Sequence, residues 1–213
     1  MQTTTSAPSV DSPLSPVAAR TPKGRATRQR IVVAAAELIH THGVACTSLD
    51  DVGAKAAVGK SQMYHYFTDK SELVCAVIDY QTERVLQVGD FSTWQGWQAW
   101  RDGVVAHYAE RDCAGGCPLG SLVNGLAARN NTMLRAVSAG FDRWEGAFRQ
   151  GLEHMQKKGR LGPAAEPAEL ASTLLIALQG GLLLGNVHRD VGYLELALDT
   201  AIATLRSYTP SAT

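Results

Sequence analysis

Two short runs of helix-forming sequence flank a three-residue break: Leu49 to Ala56, then Lys60 to Tyr66, with Ala57-Val58-Gly59 between them. Helices of about two turns are not stable alone, because nucleation is unfavourable and few hydrogen bonds follow it. They persist only if their apolar sides are buried against something larger. A longer helix precedes them. Its Ile31, Ala34, Ala35, Leu38 and Ile39 fall at the i, i+3, i+4, i+7, i+8 spacing of one buried face, and Gly43 closes it. Another follows, capped by Asp69 and carrying Leu73, Val77 and Tyr80 on one side. Thr47-Ser48-Leu49-Asp50-Asp51 opens the first short run. A hydroxyl followed three residues later by an acid suits a capping box, with Asp in place of the usual Glu. Two short helices joined by a tight turn and braced by a longer one form a helix-turn-helix.

The rest of the chain is also helical in pattern. A glycine-bearing break at Ala114-Gly115-Gly116 precedes Pro118. Leu134, Val137, Phe141, Trp144, Phe148, Leu152 and Met155 then step by threes and fours, ending at Gly159 and Gly162-Pro163. One more helix is expected from about Pro167 to Val187. A last one carries Leu194, Leu198, Ala201, Leu205 and Tyr208, with Pro210 beyond it. No stretch alternates with period two and no internal repeat appears. The expected fold is all-α. Residues 1–22, rich in Ser, Thr, Pro and Ala, are read as a disordered tail. Residues 23–70 are read as an N-terminal three-helix helix-turn-helix domain, and 71–213 as a larger C-terminal helical domain.

Charge is unevenly spread. The 213 residues hold 20 Lys+Arg and 20 Asp+Glu, a formal zero. Residues 20–70 nevertheless carry a net +4 and the remainder a net −4. Arg20, Lys23, Arg25, Arg28 and Arg30 all precede Ile31, and basic arms of this kind track phosphates or enter a minor groove. The balanced total therefore does not exclude a nucleic-acid partner. The N-terminus has no apolar signal segment. The longest apolar run, about Leu174 to Val187, falls short of the roughly 20 residues that span a bilayer. A cytoplasmic protein without membrane contact is expected. Its four cysteines are expected to be reduced thiols, and no metal or cofactor is implied. No nucleophile–base pair or phosphate loop supports an enzyme.

VGKSQMYHYFTDKSEL, residues 58–73, resembles the helix-turn-helix signature of the TetR family of bacterial repressors, whose usual form is close to AGVSKGTLYHHFPSKEEL. The likeness is close over residues 26–73 and extends through the rest in layout. Ala57 stands where that family usually has a turn glycine, and Gly59 where it has the Ser that caps the recognition helix. The resemblance implies phosphate contacts from Thr47, Tyr64, Tyr66 and Lys70, with Lys60, Ser61 and Gln62 facing bases. Residue chemistry agrees: Gln62 can bond adenine in a bidentate way, Ser48 and His65 suit backbone contacts, and Arg25 and Arg28 lie on the basic arm. Met63, Phe67, Val58, Leu49 and Val52 are assigned to the core.

The resemblance also implies a homodimer that binds a double-stranded, palindromic operator as a repressor and is released by a small-molecule effector. The interface is expected on the last two helices, at Leu174, Leu178, Gly181, Leu182, Gly185, Leu198 and Leu205, where small residues allow close approach. A mostly apolar or aromatic effector is expected among Trp94, Trp97, Trp100, Tyr108, Phe141, Trp144 and Phe148, with His107, His154 and Gln179 as orienting polar groups. Two other readings stand beside this one. Cys113 and Cys117, in a segment CAGGCPLG that resembles a motif of one TetR subgroup, would allow redox sensing. A helical small-molecule-binding protein without DNA function is the other.

Overall fold

The structure is a computed structural model that describes residues 21–86, 89–123 and 131–210. Among the described residues the secondary structure is entirely helical: α1 (Pro22–His42), α2 (Leu49–Lys55), α3 (Lys60–Tyr66), α4 (Lys70–Leu86), α5 (Trp94–Ala109), α6 (Gly120–Val123), α7 (Asn131–Lys157), α8 (Pro167–His188) and α9 (Gly192–Arg206). The expected tail lies outside the described residues up to position 20. Its last two residues do not belong to a tail at all. Thr21 caps α1, its Oγ1 accepting from the Gly24 N–H at 3.0 Å, and Pro22 takes the first helical position. A threonine cap followed by proline is a helix start in its own right.

The capping box at α2 forms as the sequence suggests, on Ser48 rather than Thr47. Ser48 Oγ accepts from the Asp51 N–H at 3.1 Å, and Asp51 Oδ2 accepts from the Ser48 N–H at 2.9 Å. These bonds from Ser48 hold the Asp51 carboxyl below its ordinary pKa. The turn that follows is a Schellman closure: Val58 N–H reaches Gly53 O at 2.9 Å and Ala57 N–H reaches Ala54 O at 3.2 Å. It places Ala57 at φ 52°, the left-handed region that favours glycine. α3 then starts at Gly59 with no side-chain cap.

α4 packs against α1 at the head and against α7 in the body, and the buried side chains from Ile31 to Leu205 form one continuous cluster. Phe91, Trp97, Trp100 and Phe148 fill its centre with ring centroids 4.7–5.9 Å apart. α8 and α9 pack as an antiparallel pair. A Cβ on Gly181 would lie 2.9 Å from the Leu194 Cα, so glycine at 181 sets how close they come. Leu134, expected on the buried face of α7, is exposed; Met133 takes that place.

Left-handed strain at Ala57 and the Ser48 cap each predict a stability change. Ala57→Gly should raise unfolding free energy by about 0.5–1 kcal/mol, and Ser48→Ala should lower it by about 1 kcal/mol. Urea unfolding followed by circular dichroism reads both.

Candidate nucleic-acid interface and ligand cavity

α3 is two turns long, so its residues divide sharply between faces. Met63 and Tyr66, three apart, turn inward with Phe67 beside them. Lys60, Ser61, Gln62, Tyr64 and His65 remain exposed, Tyr64 at 49%. Two shallow surface depressions meet at Tyr64. One is bordered by Gly59, Lys60, Ser61, Gln62 and His65, the other by the 45–50 segment and Lys70. Lys60 Nζ lies 3.5 Å from Asp50, and Lys70 Nζ is 3.4 Å from the Ala45 carbonyl oxygen. The result is a protruding, basic and hydroxyl-bearing edge with two lysines on one surface.

Several expected contacts are corrected. Tyr66 is only 5% exposed and packs in the core rather than on the outer face with Tyr64. Thr47 is also buried, and its hydroxyl donates to Gly43 O at 2.9 Å. Ser48 sits at the surface with its hydroxyl engaged in the α2 cap, donating to Asp51 Oδ2 at 2.6 Å. Arg28 is half-buried with its guanidinium 4.9 Å from the Phe67 ring centroid, which makes it a packing residue as well as a charge. Arg25 is exposed on the first turn of α1.

A cavity of about 470 Å³ lies where α1, α4, α5, α7 and α8 converge, within the range of small-molecule sites. Three expected ligand residues line it: His107, Tyr108 and Trp144. The others do not. Trp97, Trp100 and Phe148 are locked in the aromatic cluster with Phe91. Trp94 lies under the Arg206 guanidinium at 5.0 Å, and Phe141 packs edge-on to Trp144 at 5.6 Å. His154 is exposed on α7 outside the cavity. Gln179 sits against Cys117 and Gly120, its Nε2 buried without a hydrogen-bond partner among the described residues.

The rest of the polar lining comes from Glu37 and His40 on α1, Gln81 and Arg84 on α4, and Arg111. None was among the expected ligand residues: Glu37 and His40 fall in the 23–70 head, and Gln81, Arg84 and Arg111, although in the 71–213 body, were not singled out. Tyr80 and Arg84, four apart and stacked at 5.7 Å, were the available signal of an ordered polar face on α4. His107 is held below its ordinary pKa, first by burial and then by the nearby Arg111 and Arg84 charges. Burial pushes the Tyr108 hydroxyl up, and it donates to Gly116 O at 3.1 Å.

The same loop touches α1 and α8. The His40 ring packs so closely on Gly115 that a Cβ there would lie 2.0 Å from ring atoms, and the Gly115 N–H donates to Asn186 Oδ1 at 3.0 Å. Cys113 and Cys117 are both buried, and desolvation raises each thiol pKa. That counts against the redox reading, since the thiolate is the reactive form.

The expected interface residues are also corrected. Leu174, Leu178, Leu182, Leu198 and Leu205, with Gly181 and Gly185, are buried within this single chain. They hold α8 and α9 to each other and to the body, and Leu178 and Leu182 also line the cavity. The outward apolar face is a different one: Ile176, Leu183, Leu184 and Val187 on α8, with Tyr193 and Leu196 on α9.

An exposed recognition helix on a braced helix-turn-helix, joined to a helical body with a cavity, defines a DNA-binding transcriptional regulator rather than an enzyme. Residues 31–77 match the sequence profile described as bacterial regulatory proteins of the tetR family, and residues 98–201 match the tetracyclin repressor-like C-terminal domain. An HTH-type transcriptional regulator encoded in the lacX 3′ region of Lactococcus lactis subsp. lactis is 30% identical over 182 residues, covering 82% of this chain and 91% of the relative. A TetR transcriptional regulator from Chloroflexus aurantiacus superposes with a TM-score of 0.73 at 26% identity, covering 90% of this chain and all of that one. The SmeT–triclosan complex superposes with a TM-score of 0.64 at 25% identity, covering 88% and 93%. The chain belongs to the TetR family of transcriptional regulators.

The raised thiol pKa values have a direct consequence. With a chromogenic disulfide at pH 7.5, exposed Cys46 should react first, and Cys113 and Cys117 at least about 10-fold more slowly. Their rates should climb only as pH rises past the ordinary thiol range.

Proposed function

We propose that this regulator is a cytoplasmic, ligand-responsive repressor that grips a palindromic operator as a homodimer and lets go when a small molecule fills the cavity. The observation that carries the reading is the position of the cavity. Its wall includes α1, the helix that braces the helix-turn-helix, so a ligand there touches the head directly. Glu37 on that wall also pairs with Lys55 of α2 at 3.0 Å. The SmeT–triclosan complex, similar over most of this chain, holds a bound ligand, which supports an effector role for this cavity.

Lys60, Ser61, Gln62, Tyr64 and His65 are the residues best placed for the major groove, with Lys70 and Arg25 on phosphates. Two copies are needed to read successive grooves about 34–36 Å apart. The exposed apolar face of α8 and α9 is the surface suited to pairing them. Ile176 is 73% exposed and Leu196 69%, an unusual load of large apolar side chains for a solvated helix pair.

Gel-shift titration against the DNA upstream of its own gene tests the reading, and binding insensitive to salt or absent would end it. Tyr64→Phe with Lys70→Ala should weaken operator binding by about 10- to 1,000-fold, while Tyr66→Phe leaves base contacts untouched and acts only on stability. Leu183→Glu with Leu196→Glu should give a folded monomer by sedimentation, with operator affinity reduced by roughly 100-fold or more through lost avidity.

A further inference from the structure

We propose that the cavity selects an oxyanionic amphiphile: a carboxylate or phosphate monoester headgroup on an apolar body. The effector reading above is taken for granted only for the effect on DNA; the selectivity itself is a property of the cavity.

The lining is sorted by depth. Trp144, Leu178 and Leu182 are almost wholly buried and form an apolar floor, with Ala36 and Val104 beside them. His40, Arg84 and Arg111 are exposed at the rim, and His107 is half-buried below it. Against these bases, Glu37 is the one acid among the described lining residues. Its pair with Lys55 at 3.0 Å is between exposed side chains and weak, so the count rests on the lining itself, where two guanidiniums face one carboxylate. The rim therefore has a surplus of positive charge.

Neither guanidinium is fully answered. Arg84 stacks on Tyr80 and has no carboxylate partner among the described residues. Arg111 is oriented by its Nη1 donating to the His107 carbonyl oxygen at 2.8 Å, and its ion pair with Glu110, at 3.6 Å, is solvent-exposed and weak. Burial, and then the Arg111 and Arg84 charges, hold the His107 ring below its ordinary pKa, and the ring adds a hydrogen-bonding group beside the two guanidiniums. Planar guanidinium forks match carboxylate and phosphate oxygens. A neutral ligand would leave that positive rim unanswered, and a cationic one would be repelled by it.

Calorimetric titration of the full chain with octanoate, octyl phosphate, octan-1-ol and octylammonium at one ionic strength tests this. At least one anion should bind about 10- to 100-fold more tightly than the alcohol, with the ammonium weakest. Whichever anion wins distinguishes carboxylate from phosphate chemistry. Arg84→Gln with Arg111→Gln, checked for folding by circular dichroism, should erase the anion's advantage and leave the alcohol's affinity in place. Equal affinity for anion and alcohol, a preference for the ammonium, no anion binding at millimolar concentration, or an advantage that survives the double substitution overturns the proposal. So does inorganic phosphate binding as tightly as octyl phosphate, because then the apolar body contributes nothing. The gel shift separates the two readings. Salt-sensitive DNA binding with a cavity indifferent to anions sinks only this proposal; anion selectivity without DNA binding sinks only the regulator.

Discussion

The packing of α4 on two partners at once controls the architecture. One side of its length lies against α1 in the head, and its later turns lie against α7 in the body. The Trp144 indole N–H donates to Thr82 O at 3.0 Å, and Arg143 pairs with Asp79 and Glu83 on the same stretch. The buried indole bond and the surrounding apolar contacts carry more weight than the exposed ion pairs, which are worth about 0–1 kcal/mol each. α3 is too short to hold its own position. Its orientation is inherited from α2, which packs on α1, which in turn packs on α4. A DNA-reading edge built this way cannot be indifferent to what happens in the body.

The cavity is walled by α1, α4 and α7, the three helices of that packing. Two features connect its wall to other parts of the molecule: the Glu37–Lys55 pair reaches α2, and the His40 ring packs on Gly115, whose N–H is tied to Asn186 of α8. An exposed ion pair is a weak lever. A ring in van der Waals contact with a glycine backbone is a stiffer one, because packed contacts resist small displacements. On the proposed effector reading, a coupling of the usual size, about 1–3 kcal/mol, needs only a modest repacking there. On this reading the loop at 113–118 and α1, rather than the surface charges, carry the response.

Much of this was legible beforehand, and the failures have specific causes. The two short helices, the Ser48–Asp51 cap and the exposed set from Lys60 to His65 follow from local chemistry that needs no tertiary information. Tyr66 was misplaced although its signal was present: it steps three from Met63, on the inward face, whereas Tyr64 does not. Trp94, Trp97 and Trp100 were misplaced, while Trp144 does line the cavity, because aromatic content cannot distinguish a filled core from a lined cavity. The polar lining from α1 was not legible, since it depends on a helix of the head closing over the body; on α4 the Tyr80–Arg84 spacing was the signal.

α8 shows why periodicity alone misjudged the outer surface. Its leucines fall on both sides: Leu174, Leu178 and Leu182 turn inward, and Leu183, Leu184 and Val187 turn out. A helix apolar all round is either buried on every side or crosses a membrane. By length and composition α8 would pass for a membrane span, contrary to the expectation from its glycine-broken run. Its inner half, however, is consumed by α7 and α9, with Gly181 seated against Leu194. What stays apolar is one stripe, continued on α9 by Tyr193 and Leu196. A stripe backed by packed core is not a helix exposed to lipid on every side, and it is the face to which the proposed pairing is assigned. The glycines expected to bring two subunits together instead bring two helices of one subunit together, and in doing so they set the leucines outward.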